Sequence, residues 1–105
     1  MKQFDLYRNT DKDSNKAYPY FVDVQSNLID ELNSRVVIPL TFQRKSDKGF
    51  PEGLCPIIDI EGKSVVLLTH QMTSVSTSFL KKKSGTLSPN RNEIIAAIDF
   101  LVTGI

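Results

Sequence analysis

Ser88-Pro89-Asn90-Arg91-Asn92-Glu93 divides this chain into a strand-rich part before it and a helix after it. Ser88 suits an N-cap and Pro89 suits the first helical position. Glu93 adds negative charge in an early turn, where the helix dipole favours it. Ile94, Ile95, Ile98, Leu101, Val102 and Ile105 follow at helical spacing. This pattern predicts a helix that runs to the last residue, with Ile94, Ile98 and Leu101 as its buried face. No polar tail follows, so the helix carries Val102, Gly104 and Ile105 to a free carboxylate. Two readings stay open: the whole helix packs on the core, or its last residues wait for a partner.

Upstream, the apolar pattern changes to the period of strands. Residues 3–8 alternate, with Phe4 and Leu6 on one face and Asp5 and Tyr7 on the other. Residues 9–16 are turn formers and read as a mobile loop. Residues 18–25 form a second strand on the strength of Phe21, Val22 and Val24. Residues 35–40 form a third, ended by Pro39. Residues 41–53 read as a charged loop with a short helical turn. Residues 56–60 and 63–69 are two apolar runs, and Glu61-Gly62 between them reads as a tight hairpin turn. Residues 75–80 suggest one more strand, and residues 81–85 a basic, flexible connector. Short strands followed by one long helix argue for a mostly β fold, a small antiparallel sheet or barrel carrying a C-terminal α-helix.

With 105 residues the chain is expected to form one domain spanning 1–105, and its net charge of +1 gives no general pull toward nucleic acid or membranes. No apolar run reaches the length of a membrane span, and residues 1–5 lack the core of a signal peptide. Cys55 is the only cysteine, so no internal disulfide forms and a reducing cytoplasm is the expected compartment. Between Leu54 and Pro56, Cys55 reads as a small buried hydrophobe rather than a reactive thiol.

The search for chemistry is nearly empty. His70 is the only histidine, and no nucleophile elbow lies near it. Scattered carboxylates with His70 and Cys55 do not make a metal-binding pattern, and the five glycines are too dispersed for a phosphate loop. Asp23, Asp30 and Asp59 read as strand carboxylates paired to Arg or Lys rather than as general bases. Lys81-Lys82-Lys83 reads as a solvated connector. No catalytic residue, metal or cofactor is expected, and binding becomes the default function.

Four blocks carry a family resemblance. Phe21-Val22-Asp23-Val24-Gln25-Ser26-Asn27-Leu28-Ile29-Asp30 closely resembles a segment of CcdB, the gyrase poison of toxin–antitoxin pairs. Val36-Val37-Ile38-Pro39-Leu40 resembles the segment that follows. Gln71-Met72-Thr73-Ser74-Val75 is similar to a third, and Arg91-Asn92-Glu93-Ile94-Ile95 through Gly104-Ile105 resembles the C-terminal helix. Their order and spacing match, so the resemblance covers nearly the whole chain.

The resemblance implies an SH3-like barrel of the CcdB/MazF/Kid type with a C-terminal helix, assembled as a two-fold homodimer in the cytoplasm. It implies a toxin that inserts its paired helix ends into the DNA gyrase A subunit dimer and traps the DNA-cleaved state. It further implies a CcdA-like antitoxin that wraps a disordered segment around the toxin, and operator DNA bound only through that antitoxin. The gyrase-facing positions it implies are Leu28, Ile29, Asp99, Val102, Thr103, Gly104 and Ile105. The best-known members carry tryptophan where Thr103 stands and asparagine where Asp99 stands. Two alternatives remain beside the gyrase poison: an endoribonuclease toxin of the MazF and Kid type, which shares the barrel, and a decayed toxin that retains only antitoxin binding.

Overall fold

The structure is a computed structural model that describes residues 1–29, 31–44 and 50–104. Its strands are β1 (Asp5–Arg8), β2 (Tyr20–Asp23), β3 (Ser34–Phe42), β4 (Ile57–Ile60), β5 (Lys63–Leu67), β6 (Thr73–Ser76) and β7 (Lys82–Thr86). One helix, α1 (Arg91–Thr103), follows them. The strands form a single curled antiparallel sheet in the order β4-β5-β3-β2-β1-β7, with β6 also paired to β3. It is a half-barrel, and the helix covers its concavity. The mostly β fold with one C-terminal helix is therefore as the sequence predicts.

Both faces of the sheet are covered, which explains why β2 is buried along its whole length. Leu6, Val22, Val24, Ile38, Leu40, Val65 and Leu67 point to one face, where Leu87 and Ile94 close the main core. Their neighbours Tyr7, Phe21 and Val37 point to the other and form a smaller core with Leu80. The strand period of two places adjacent apolar residues in different cores.

Pro39 does not end the third strand. It sits inside β3, where the strand changes partner: Ser34 to Val37 pair with β6, and Leu40 to Phe42 pair with β5. The Val24 N–H donates to Val36 O, so by alternation Ile38 and Leu40 bond to β2 while Pro39 faces away from it. Its missing N–H falls in the gap between β6 and β5, and its carbonyl still accepts from Leu68 N–H at 3.0 Å.

The β4–β5 hairpin turns on two residues with positive φ, Glu61 at 52° and Gly62 at 80°. This is the type I′ geometry that matches strand twist. The basic run is a strand rather than a connector. Lys82 to Thr86 form β7 and pair with β1 through a bulge, since Leu6 faces Gly85 and Tyr7 faces Lys83. Lys83 Nζ lies 3.3 Å from the Asp5 carboxylate. Residues 77–79 are a 3-10 turn, so the predicted sixth strand covers only Thr73–Ser76 and that turn ends it.

The segment 9–16 is tied down. Asn9 is buried, and its side-chain amide donates to Ser14 Oγ (3.0 Å) and Tyr18 O (2.8 Å) while Oδ1 accepts from Asp11 N–H (2.9 Å). Asp11 then accepts from Ser14 Oγ at 2.7 Å. The turn formers bond to one another instead of to water. We expect Asn9→Ala to cost about 1 kcal/mol, because three partly buried hydrogen bonds are lost to groups that water can reach. A thermal melt checks this, at roughly 4–8 °C for each kcal/mol lost.

Candidate functional site

Ser88 does not cap α1. It opens a 3-10 turn, Ser88–Asn90, with Pro89 inside it. Asn90 is the N-cap residue of α1, and its side-chain amide donates to Glu93 Oε1 at 3.0 Å. The chain turns here because Leu87 enters the main core and Ile94 must re-enter it.

The buried face of α1 differs from the predicted one. Ile94 and Ala97 are fully buried, and Ile95 and Ile98 pack partly against the core. Leu101, expected inside, is 39% exposed, and Val102 is 71% exposed. The helix is thus supported through Ile98 and by half-buried Phe100 beside Gly53, and the stretch beyond, Leu101 to Thr103, is exposed. Thr103 Oγ1 donates back to Asp99 O at 2.7 Å, so its hydroxyl is occupied and its methyl is free. Gly104 ends the helix at φ 75°, donating to Phe100 O at 2.9 Å. That left-handed cap suits glycine. Asp99, Thr103 and Gly104 are exposed. Ile105 lies outside the described residues.

Leu28 and Ile29 sit on a different element, the 3-10 turn Asn27–Ile29 between β2 and β3. Leu28 is 93% exposed and Ile29 51%. The fold therefore presents the predicted residues on two elements, the Asn27–Ile29 turn and the last turn of α1. Leu32, 54% exposed, adds apolar surface to the same connection. Sequence reading passed over it because Glu31, Asn33 and Ser34 surround it with polar residues.

Beside Asp23, for which an Arg or Lys partner was expected, the roles of Gln25 and Arg35 were also missed. Asp23 and Arg35 form a fully buried ion pair at 2.7 Å. Asp23 Oδ1 accepts from Gln25 N–H at 3.0 Å, and Arg35 Nη2 reaches Gln25 O at 3.5 Å. Arg35 Nη1 has no partner among the described residues. The expected Arg partner for Asp23 is thus present, but inside the protein rather than at a strand edge. Nearby, the Tyr7 phenol is pushed up by burial and then by the charges of Asp5 and Asp23, so it stays a neutral donor.

Cys55 is half-buried, with Sγ 3.5 Å from His70 Nδ1, and His70 is exposed beside the Phe50 ring. Burial pushes the Cys55 thiol up, which keeps it protonated and a poor nucleophile. Among the described residues no group of three His, Cys, Asp or Glu side chains is placed to hold a metal. No described helix is long and apolar enough to cross a membrane.

The family described as CcdB protein matches residues 3–104, nearly the full length. The chain belongs to the CcdB family. CcdB proteins are toxins of toxin–antitoxin systems, and their curled sheet with one closing helix is the fold found here. Membership places this chain among the toxins of toxin–antitoxin systems.

A second surface lies away from both the Asn27–Ile29 turn and the end of α1. On the smaller-core side an open groove is lined by Phe21, Val75 and Phe79. Through Thr10 and Lys81 it runs into a basin edged by Arg8, Lys12 and Lys82. An apolar floor beside a basic rim is complementary to an extended acidic segment.

Proposed function

We propose that this toxin is a poison of the DNA gyrase A subunit, acting as a homodimer and without catalysis. Leu28, Ile29, Asp99, Val102, Thr103, Gly104 and Ile105 form the contact. The observation that carries the reading is the exposed stretch Leu101 to Thr103 at the end of α1, with Val102 held 71% exposed. Asp99 supports it from electrostatics. A carboxylate near a helix C-terminus opposes the dipole, so it serves folding poorly. It is well placed to meet an arginine on a partner. Two-fold symmetry sets two such tips side by side, one for each half of a dimeric target.

A CcdA-like antitoxin neutralises the toxin by laying a disordered acidic segment along the groove between Phe79 and Lys12. The pair represses its own operon, with the antitoxin supplying the contact to DNA.

The deciding experiment uses supercoiled plasmid, gyrase and ATP. The purified toxin is expected to convert plasmid to linear DNA and to leave single-stranded RNA intact. RNA cleavage that is lost on replacing one Arg or Asp would establish the ribonuclease alternative instead. Binding to antitoxin with neither effect would mark a decayed toxin.

A further inference from the structure

The connection between β2 and β3 combines a braced backbone with bare apolar side chains. Leu28, Ile29 and Leu32 are all more than half exposed. Yet side chains brace the turn in addition to its own backbone bond from Ile29 N–H to Ser26 O at 3.2 Å. Ser26 Oγ accepts from Leu28 N–H at 3.1 Å, and Asn27 Oδ1 accepts from Gln3 N–H at 2.8 Å. Gln25, buried at 4% exposure, uses both ends of its amide. Nε2 donates to Ile29 O at 2.7 Å, and Oε1 accepts from Val36 N–H at 3.1 Å.

Gln25 is fixed in turn from below. Its N–H binds Asp23 and its carbonyl receives Arg35, the two members of the buried ion pair. The chain of contacts runs from that pair through Gln25 to the carbonyl of Ile29. A core-facing strand does not need this arrangement, because β3 already bonds β2 through Val36 O. Of the two side-chain bonds, the one from Nε2 reaches only the turn.

We propose that Gln25 is a positioning residue. It holds the Asn27–Ile29 turn rigid, so that Leu28 and Ile29 are presented to the partner already in their bound geometry. The proposal rests on the reading that these two residues meet the gyrase A subunit. A turn ordered in advance gives up less freedom on binding, so affinity rises without any contact from Gln25 itself. The side chain must carry one donor and one acceptor at its end, a combination that glutamate and methionine lack.

The test compares Gln25→Glu with Gln25→Met, so that a fold intolerant of one is probed by the other. Amide hydrogen exchange at Leu28 and Ile29 is expected to speed about tenfold, the equivalent of one buried hydrogen bond, while Ile38 in β3 stays protected. Affinity for purified gyrase A subunit is expected to fall by about tenfold in the parent. It should change little in a Leu28→Ala, Ile29→Ala background, where the positioned groups are already gone. Unchanged exchange at the turn overturns the proposal, and so does an equal loss of affinity in both backgrounds. If the Leu28→Ala, Ile29→Ala protein binds gyrase like the parent, the contact reading itself falls, and the exchange data still judge whether Gln25 holds the turn.

Discussion

A toxin carrying Val102→Asp is expected to fold, melt near the parent temperature, and fail to arrest growth when induced. Val102 is 71% exposed, so its replacement removes little that folding uses. Exposed substitutions of this kind usually stay within about 0.5 kcal/mol. In a gyrase complex the same position loses apolar burial, roughly 1.5–3 kcal/mol for a valine-sized side chain. It also buries a carboxylate with no arranged partner. A dimer meets both penalties twice. Deleting Gly104 and Ile105 probes the same surface from its other side. Among described groups it removes only the cap bond to Phe100 O, and it should likewise abolish toxicity. Growth on induction and a melting curve for each variant form the measurement. An early melt would put this turn in the core, and continued growth arrest would remove it from the contact.

Arg35→Met is expected to have the opposite signature: lost stability, with toxicity failing only because the fold fails. The guanidinium is 1% exposed and its Asp23 partner 0%, so the variant leaves a buried carboxylate without its counter-charge. Breaking such a pair from one side costs about 3–5 kcal/mol. That is a large share of the roughly 5–15 kcal/mol by which a domain is stable. The midpoint of urea unfolding should fall accordingly. Adding Asp23→Asn should recover part of the loss, because the charge is gone and the amide oxygen still accepts from Gln25 N–H. A double variant no better than Arg35→Met would mean that the guanidinium acts by packing rather than by pairing.

The fold was readable wherever burial has a period. The β4–β5 hairpin and α1 were visible because Ile58, Val65 and Ile94 sit on a repeating face, and β2 was visible from the β-branched and aromatic character of Phe21 and Val22. β7 was not, since Lys82 to Thr86 form an edge strand with hardly a buried side chain. Polar edges are how a sheet avoids pairing with other chains, and that protection hides the strand from its own sequence. Pro39 misled because its effect depends on which side its nitrogen faces, a property of register. The loop at 9–16 misled because the same Asn, Asp and Ser residues that solvate a mobile loop can bond to one another and fix one. At the candidate site, exposed Val102 and Leu28 were indicated by family resemblance. Gln25 and Arg35 were not, because their roles lie in hydrogen bonds between residues up to 12 positions apart.

The pairing of β1 with β7 bears on when this toxin comes into being. Residues 5–8 leave the ribosome first, yet their outer neighbour is residues 82–86. The main core around Leu6 and Val22 also waits for Leu87 and Ile94. At ~5–20 residues per second, roughly 4–15 s separate the first strand from its partner. During that interval the sheet lacks an edge and the core lacks its lid. Distant pairings of this kind form late and slowly. The body that holds the last turn of α1 therefore closes only after β7 and α1 have both been made.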